Sequence, residues 1–288
     1  TDHPVEQGHR AGVIAAASAL MLASGAAHAV VNAVVKSGGD KMSSRALVDG
    51  SSALLVLPLA FVVPFPSAAL PWLVGSFAVH LIYLICLVNA FESADMSAVY
   101  PVMRGSAPVI AAVAAVVWLR DPISLSVGVG TMLVSLGTLA VAWWNPPSRK
   151  ALVWALATGL MIAAYTVIDA RGVRAAPSAL SYMVWVFLLL GFGIGTLFAL
   201  WRGPRFIGEA RGQWKLGLIA GALSLVTYGL ALWAYRLGDV PRLAALRESS
   251  ILFGVAIAWL VLKERVGKAR FLGAGLIAAG SAVLLALR

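Results

Sequence analysis

Ten apolar runs, each about as long as a bilayer is thick and parted by charge, proline and glycine, constrain this 288-residue chain more than any other feature. They fall at about 11–35, 45–64, 71–91, 96–119, 123–144, 151–170, 179–201, 214–235, 240–262 and 268–287. A helix crossing the hydrocarbon core takes about 20 apolar residues and satisfies its backbone polar groups internally. Ten such helices consume most of the chain, leaving short connections and no separate soluble domain. The longest connection, Arg202 to Gln213, is rich in Gly, Pro and Arg and carries no helical pattern.

Composition agrees with the runs. The chain is 61% hydrophobic and 12% charged, against about 25% charged residues in soluble domains. Its net charge of +10 would suggest nucleic acid in a soluble protein. Here the basic residues cluster in loops, where they meet lipid headgroups and set orientation, so no nucleic-acid partner is implied. Arg10, Arg120, Arg171, Arg174, Arg236, Arg242 and Arg288 share the side of both termini, and thirteen Lys and Arg lie opposite. The positive-inside rule then puts both termini outside a multi-pass inner (cytoplasmic) membrane protein. Cys86, the single cysteine, excludes intrachain disulfides and makes a cysteine-ligated zinc site implausible. No cofactor or metal is expected. The first run is too long for a signal-peptide core and reads as a retained span. Trp72, Trp143, Trp144, Trp201 and Trp214 stand at run ends, as interfacial anchors do.

The chain repeats itself. An offset of 143 residues lays Arg104 on Arg247, Ser106 on Ser249, Arg120-Asp121 on Lys263-Glu264, Gly130 on Gly273 and Gly137 on Gly280. An offset of 140 lays Ala17–Met21 on Ala157–Met161. Two halves follow, 1–146 and 147–288, each with five runs. An odd number of crossings makes the second half enter from the opposite side, an inverted repeat of the kind that supports alternating access.

The string PVMRGSAPVIAAVAAVVWLRDP and its counterpart PRLAALRESSILFGVAIAWLVLKERVGKARFLGAGLIAAG resemble the two halves of the drug/metabolite transporter superfamily, EamA type. The shared marks are the acid after the fourth and ninth helices (Asp121, Glu264) and the glycines that follow. Length and aromatic-rich spans are similar to the YddG-type exporters of aromatic amino acids. The resemblance implies a ten-helix all-α membrane transporter around a central cavity, with a small-molecule substrate and no catalytic residues.

Individual residues divide between packing and transport. Asp121 precedes Pro122 and reads as the N-cap of the fifth helix. The glycine pairs Gly130/Gly137 and Gly273/Gly280 read as intramolecular packing rather than a dimer face, and a monomer is favoured. Arg104 and Arg247 lie roughly 12–13 Å into their helices, where an unpaired charge is costly. They either lock the halves together or attract a substrate carboxylate; the first is favoured slightly, because Glu248 can offset one charge. Ser76, His80 and Tyr83 share one face of the third helix, and Ser224, Tyr228, Ala231 and Tyr235 share one face of the eighth. With Tyr100, Tyr165, Trp185 and Ser249 these form the expected binding set, and His28 and Asn32 of the first helix are candidates for gating. Glu248 reads as the only deep acid, with Asp169 near a helix end. That argues against proton-coupled export of lipophilic cations and for a neutral or zwitterionic metabolite, an amino acid first. A proton-coupled multidrug exporter and, further off, a membrane-embedded enzyme are the alternatives.

Overall fold

The structure is a computed structural model that describes residues 4–36, 41–140, 147–202, 204–261, 263 and 267–286. Among these residues it is all helix, without strands. The helices are α1 (Pro4–Lys36), α2 (Lys41–Val56), α3 (Leu70–Ser93), α4 (Met96–Ala114), α5 (Leu125–Ala140), α6 (Arg149–Ala175), α7 (Ala179–Arg202), α8 (Pro204–Leu237), α9 (Val240–Arg247), α10 (Ser250–Ala256) and α11 (Lys268–Ala286). Seven stretches among the described residues are long and apolar enough to cross a membrane, and Leu47–Phe61 and Leu125–Ala140 are shorter apolar helices. The faces turned outward carry Phe61, Val74, Val117, Leu200 and Leu272, which suits lipid rather than water.

Three elements depart from the sequence expectation. The stretch after Arg202 is helical, because α8 starts at Pro204. Proline is well suited to a first turn, where its missing N–H leaves no bond unmade. The second run does not continue as α-helix to residue 64: Pro58 falls in a tighter 3-10 turn, Leu57–Phe61. The ninth run is broken. Glu248 N–H donates to the Ala245 carbonyl (3.1 Å) and Ser249 N–H to that of Leu246 (3.0 Å), so α9 tightens and ends before α10 begins.

The corner after α4 is built differently from the expected cap. A π turn, Ala115–Leu119, runs into Arg120, whose φ of 59° is left-handed and stops the helix. Asp121 is thereby aimed away from α5. Ser124 caps that helix instead, its Oγ accepting from the Val127 N–H at 3.3 Å. A π turn also follows α10, at Ile257–Val261. Lys263 beyond it has a φ of 52° and is, with Arg120, one of two positive-φ non-glycine residues among those described. Glu264 lies outside the described residues, as do Trp143 and Trp144.

Packing joins the two parts of the chain along their length. α1 lies on α8 and α3 on α6; α4 lies on α6, and α9 and α10 on α1; α2 meets α7, and α5 meets α11. Glycine permits the last contact. A Cβ on Gly137 would sit 2.7 Å from the Gly273 carbonyl oxygen, and one on Gly280 would sit 2.7 Å from that of Gly130. All four glycines therefore form one intramolecular seam.

Asp121 ties the first part of the chain to the second. Its carboxylate accepts two hydrogen bonds from the Arg174 guanidinium, at 2.8 and 3.0 Å, and one from the Val240 N–H at 2.8 Å. It thus caps α9 rather than α5. Arg174 also donates to the carbonyls of Tyr235 (3.0 Å) and Gly238 (2.8 Å). Arg236 closes the same end by donating to the Val173, Ala176 and Pro177 carbonyls at the C-terminus of α6.

Candidate functional site

α3 and α6 bring together one polar-aromatic cluster. Ser76 and His80 are one helical turn apart and both buried. His80 Nδ1 lies 2.8 Å from the Ser76 carbonyl oxygen and 3.3 Å from its Oγ. A carbonyl only accepts, so Nδ1 carries the proton and a neutral ring keeps its acceptor at Nε2. Tyr165 of α6 stacks on the imidazole, with centroids 4.3 Å apart and an interplanar angle of 23°. Tyr83 meets both rings edge-on, at 5.8 Å from Tyr165 and 6.3 Å from His80. Val79, Ala107 and Ile162 pack around these rings. Four of the residues expected to bind substrate are therefore neighbours.

A second cluster carries charge. Arg104 Nη2 pairs with Glu248 Oε1 at 3.0 Å and donates to Ser250 Oγ at 3.4 Å. The expected offset by Glu248 thus falls on Arg104, across the α4–α9 contact. Arg247 sets its guanidinium over the Tyr228 ring at 5.2 Å. Tyr228 donates its hydroxyl to Asp169 Oδ2, and Tyr182 donates to Asp169 Oδ1 at 2.8 Å. Phe187 packs edge-on against Tyr228 at 5.9 Å.

Asp169 corrects the sequence reading. From the sequence it falls near a helix end, with Glu248 as the only deep acid; in the structure α6 continues to Ala175 and Asp169 has no exposure at all. Asp49 in α2 is a further buried acid, at 6%. The charged Arg171 and Arg174 made the sixth run look finished too soon. Tyr165 and Asp169 are spaced i, i+4, which places them on one helical face; that spacing was the available signal. Tyr182, whose hydroxyl holds Asp169, carried no comparable mark.

The remaining candidates spread out. Ser249 stands at the α9–α10 break, 1% exposed, against Gly25 of α1. A Cβ on Gly25 would lie 2.8 Å from Ser249 Oγ, so glycine lets α1 close on the break. Tyr100 packs elsewhere, with Val99, Met103 and Ala155. Trp185 meets Phe65 edge-on at 4.8 Å. Tyr235 is buried, and its hydroxyl faces Arg247 without a well-formed hydrogen bond among the described residues. His28 is half-buried in α1, and the Asn32 side chain lies outside the described residues. Among the described residues, no three His, Cys, Asp or Glu are placed to hold a metal ion.

Comparison with known proteins bears on the fold. Residues 149–286 match the EamA-like transporter family. A solved crystal structure, 16% identical, superposes with a TM-score of 0.73 over 94% of this chain and 96% of its own. At that identity the likeness is one of fold. No curated protein matches the chain in sequence. The family match lies in the second half of the chain and supports the resemblance drawn from the sequence: that half is similar to a family of membrane transporters.

Proposed function

We propose that the chain exports small neutral or zwitterionic metabolites, aromatic amino acids foremost, by alternating access between two inverted five-helix halves, 1–146 and 147–288. The observation that carries the substrate class is the juxtaposition of stacked rings (His80, Tyr83, Tyr165) with buried charges (the pair Arg104–Glu248, and Arg247 over Tyr228, whose hydroxyl donates to Asp169). Aromatic walls with a few convergent polar groups suit a flat apolar solute with a charged end. The inverted architecture is supported by the left-handed residues Arg120 and Lys263, which stand 143 positions apart, as do the glycines of the α5–α11 seam. It is supported too by the interrupted helix at Glu248 and Ser249, a feature of midplane substrate sites. A YddG-type exporter is the subtype this reading favours.

The test is counterflow of labelled amino acids in proteoliposomes. Labelled phenylalanine should exchange well above protein-free vesicles, and His80→Ala or Tyr83→Phe should lower the rate at least about tenfold, as expected when a binding contact worth about 1.4 kcal/mol is lost. No exchange with any amino acid would sink the proposal.

Asp169 gives one observation to a second reading, proton-coupled export of lipophilic cations. The absence of a deep acid no longer argues against it. Cation-triggered proton release that vanishes in Asp169→Asn would decide for that reading.

A further inference from the structure

Four buried ionisable groups, Arg104, Arg247, Glu248 and Asp169, meet where α4, α6, α8 and α9 converge. Their charges sum to zero when all are ionised, but their contacts are unequal. Arg104 has a carboxylate at 3.0 Å and a hydroxyl at 3.4 Å. Asp169 has a phenol on each oxygen. Among the described residues no carboxylate lies within ion-pair distance of Arg247, its Nε has no hydrogen-bond partner, and its neighbours are the face of Tyr228 and the hydroxyl of Tyr235. It is only 8% exposed. A buried guanidinium with five donors and no carboxylate is expensive unless something supplies further oxygens.

The two arginines are equivalent in the repeat, separated by 143 residues, and their difference is assigned by one neighbour. Glu248 follows Arg247 in the chain but turns its Oε1 to Arg104, leaving Oε2 without a partner. Tyr235, on one helical face with Tyr228, sets its hydroxyl beside Arg247 without a well-formed hydrogen bond among the described residues. An incoming carboxylate would complete what is unfinished: the fork of Arg247 matches its two oxygens, and the Tyr235 hydroxyl supplies a further donor.

We infer that Arg247 is the anion-recognition residue of the substrate path and takes the carboxylate of a small organic acid or amino acid, while Arg104 is a structural cation closed by Glu248. This rests on reading the ring-and-charge cluster as the substrate site. The test uses purified protein and two pairs of probes: 3-phenylpropionate against 3-phenylpropanamide, and phenylalanine against phenylalaninamide, with binding followed by thermal stabilisation in detergent. The carboxylates should bind at least about tenfold tighter than the amides in the unmodified protein, in keeping with a charge-assisted contact. Arg247→Gln should bring the two within about twofold, and Arg247→Lys should restore part of the preference, since charge without the fork still attracts an anion. Equal binding of acid and amide by the unmodified protein overturns the inference and needs no variant to fold. Persistence of the preference in Arg247→Gln overturns it as well. If 3-phenylpropionate binds through Arg247 but labelled phenylalanine does not exchange, the amino-acid reading fails and the anion site stands. If phenylalanine exchanges and the acid has no advantage over the amide, the site fails and transport stands.

Discussion

Replacing Asp121 by alanine removes three hydrogen bonds at one corner: two from the Arg174 guanidinium and one from the first N–H of α9. Asp121 is 8% exposed, and the Arg174 side chain 26%. Breaking a buried pair from one side costs about 3–5 kcal/mol, since the remaining charge is stranded. Arg174 is a quarter exposed and keeps the Tyr235 and Gly238 carbonyls, which places this pair at the low end, about 3 kcal/mol. Loss of the α9 cap adds about 1 kcal/mol. Asp121→Ala should therefore lose about 3–4 kcal/mol. Arg174→Ala should lose a comparable amount, as its two carbonyl acceptors lose their donor. The pair term is shared, so the double variant should fall short of the sum by about 2 kcal/mol. Equilibrium unfolding in mixed micelles, with each variant compared under one condition, measures all three. Additivity within about 0.5 kcal/mol, or an Asp121→Ala loss below about 1 kcal/mol, would refute the clamp and return Asp121 to a local role.

The glycine seam offers a paired comparison. Gly137→Ala puts a methyl 2.7 Å from a backbone oxygen of α11 and should destabilise by about 1–3 kcal/mol; Gly128→Ala, with nothing within 4 Å of its Cβ position, should be neutral or slightly stabilising. Equal thermal stabilities would rule the seam out. Glu248→Gln strands Arg104 and should cost about 3 kcal/mol or more in the same unfolding assay, with exchange lost; unchanged stability would mean the pair is idle. Asp239, in the α8–α9 connection, is shifted by burial and then by the Asp121 carboxylate above the usual carboxylate range, against Arg174 and Arg242. A raised folded-state value makes its contribution fullest at acid pH and lost as pH rises through that value. Asp239→Asn should then be more stable than the parent at pH 7, and the advantage should shrink as pH falls towards 4, the unfolded carboxylate value being about 3.9. A constant difference across the titration would contradict this assignment.

Much of the molecule was legible in the residues because lipid leaves the chain few options. Apolar runs of bilayer length must become helices, and run and helix agree closely at 96–119 and at the start of α7. His80 and Tyr83 could be paired with Ser76 from spacing alone, since a helix puts such positions on one face. The match of Arg104 with Arg247 was likewise readable as an offset. What could not be read was which neighbour each charge would choose. Asp121 looked like a local cap because Pro122 follows it, yet the left-handed Arg120 turns it across the molecule to Arg174 and Val240. Asp169 looked peripheral because arginines follow it, yet α6 runs on, and hydroxyls from two other helices enclose it. The sequence by itself determined the solvent and most of the helices, because hydropathy and periodicity act along the chain. Only the tertiary structure decided how the charges pair: electrostatic energy depends on distance through space, and Glu248 reached Arg104 before its own neighbour Arg247.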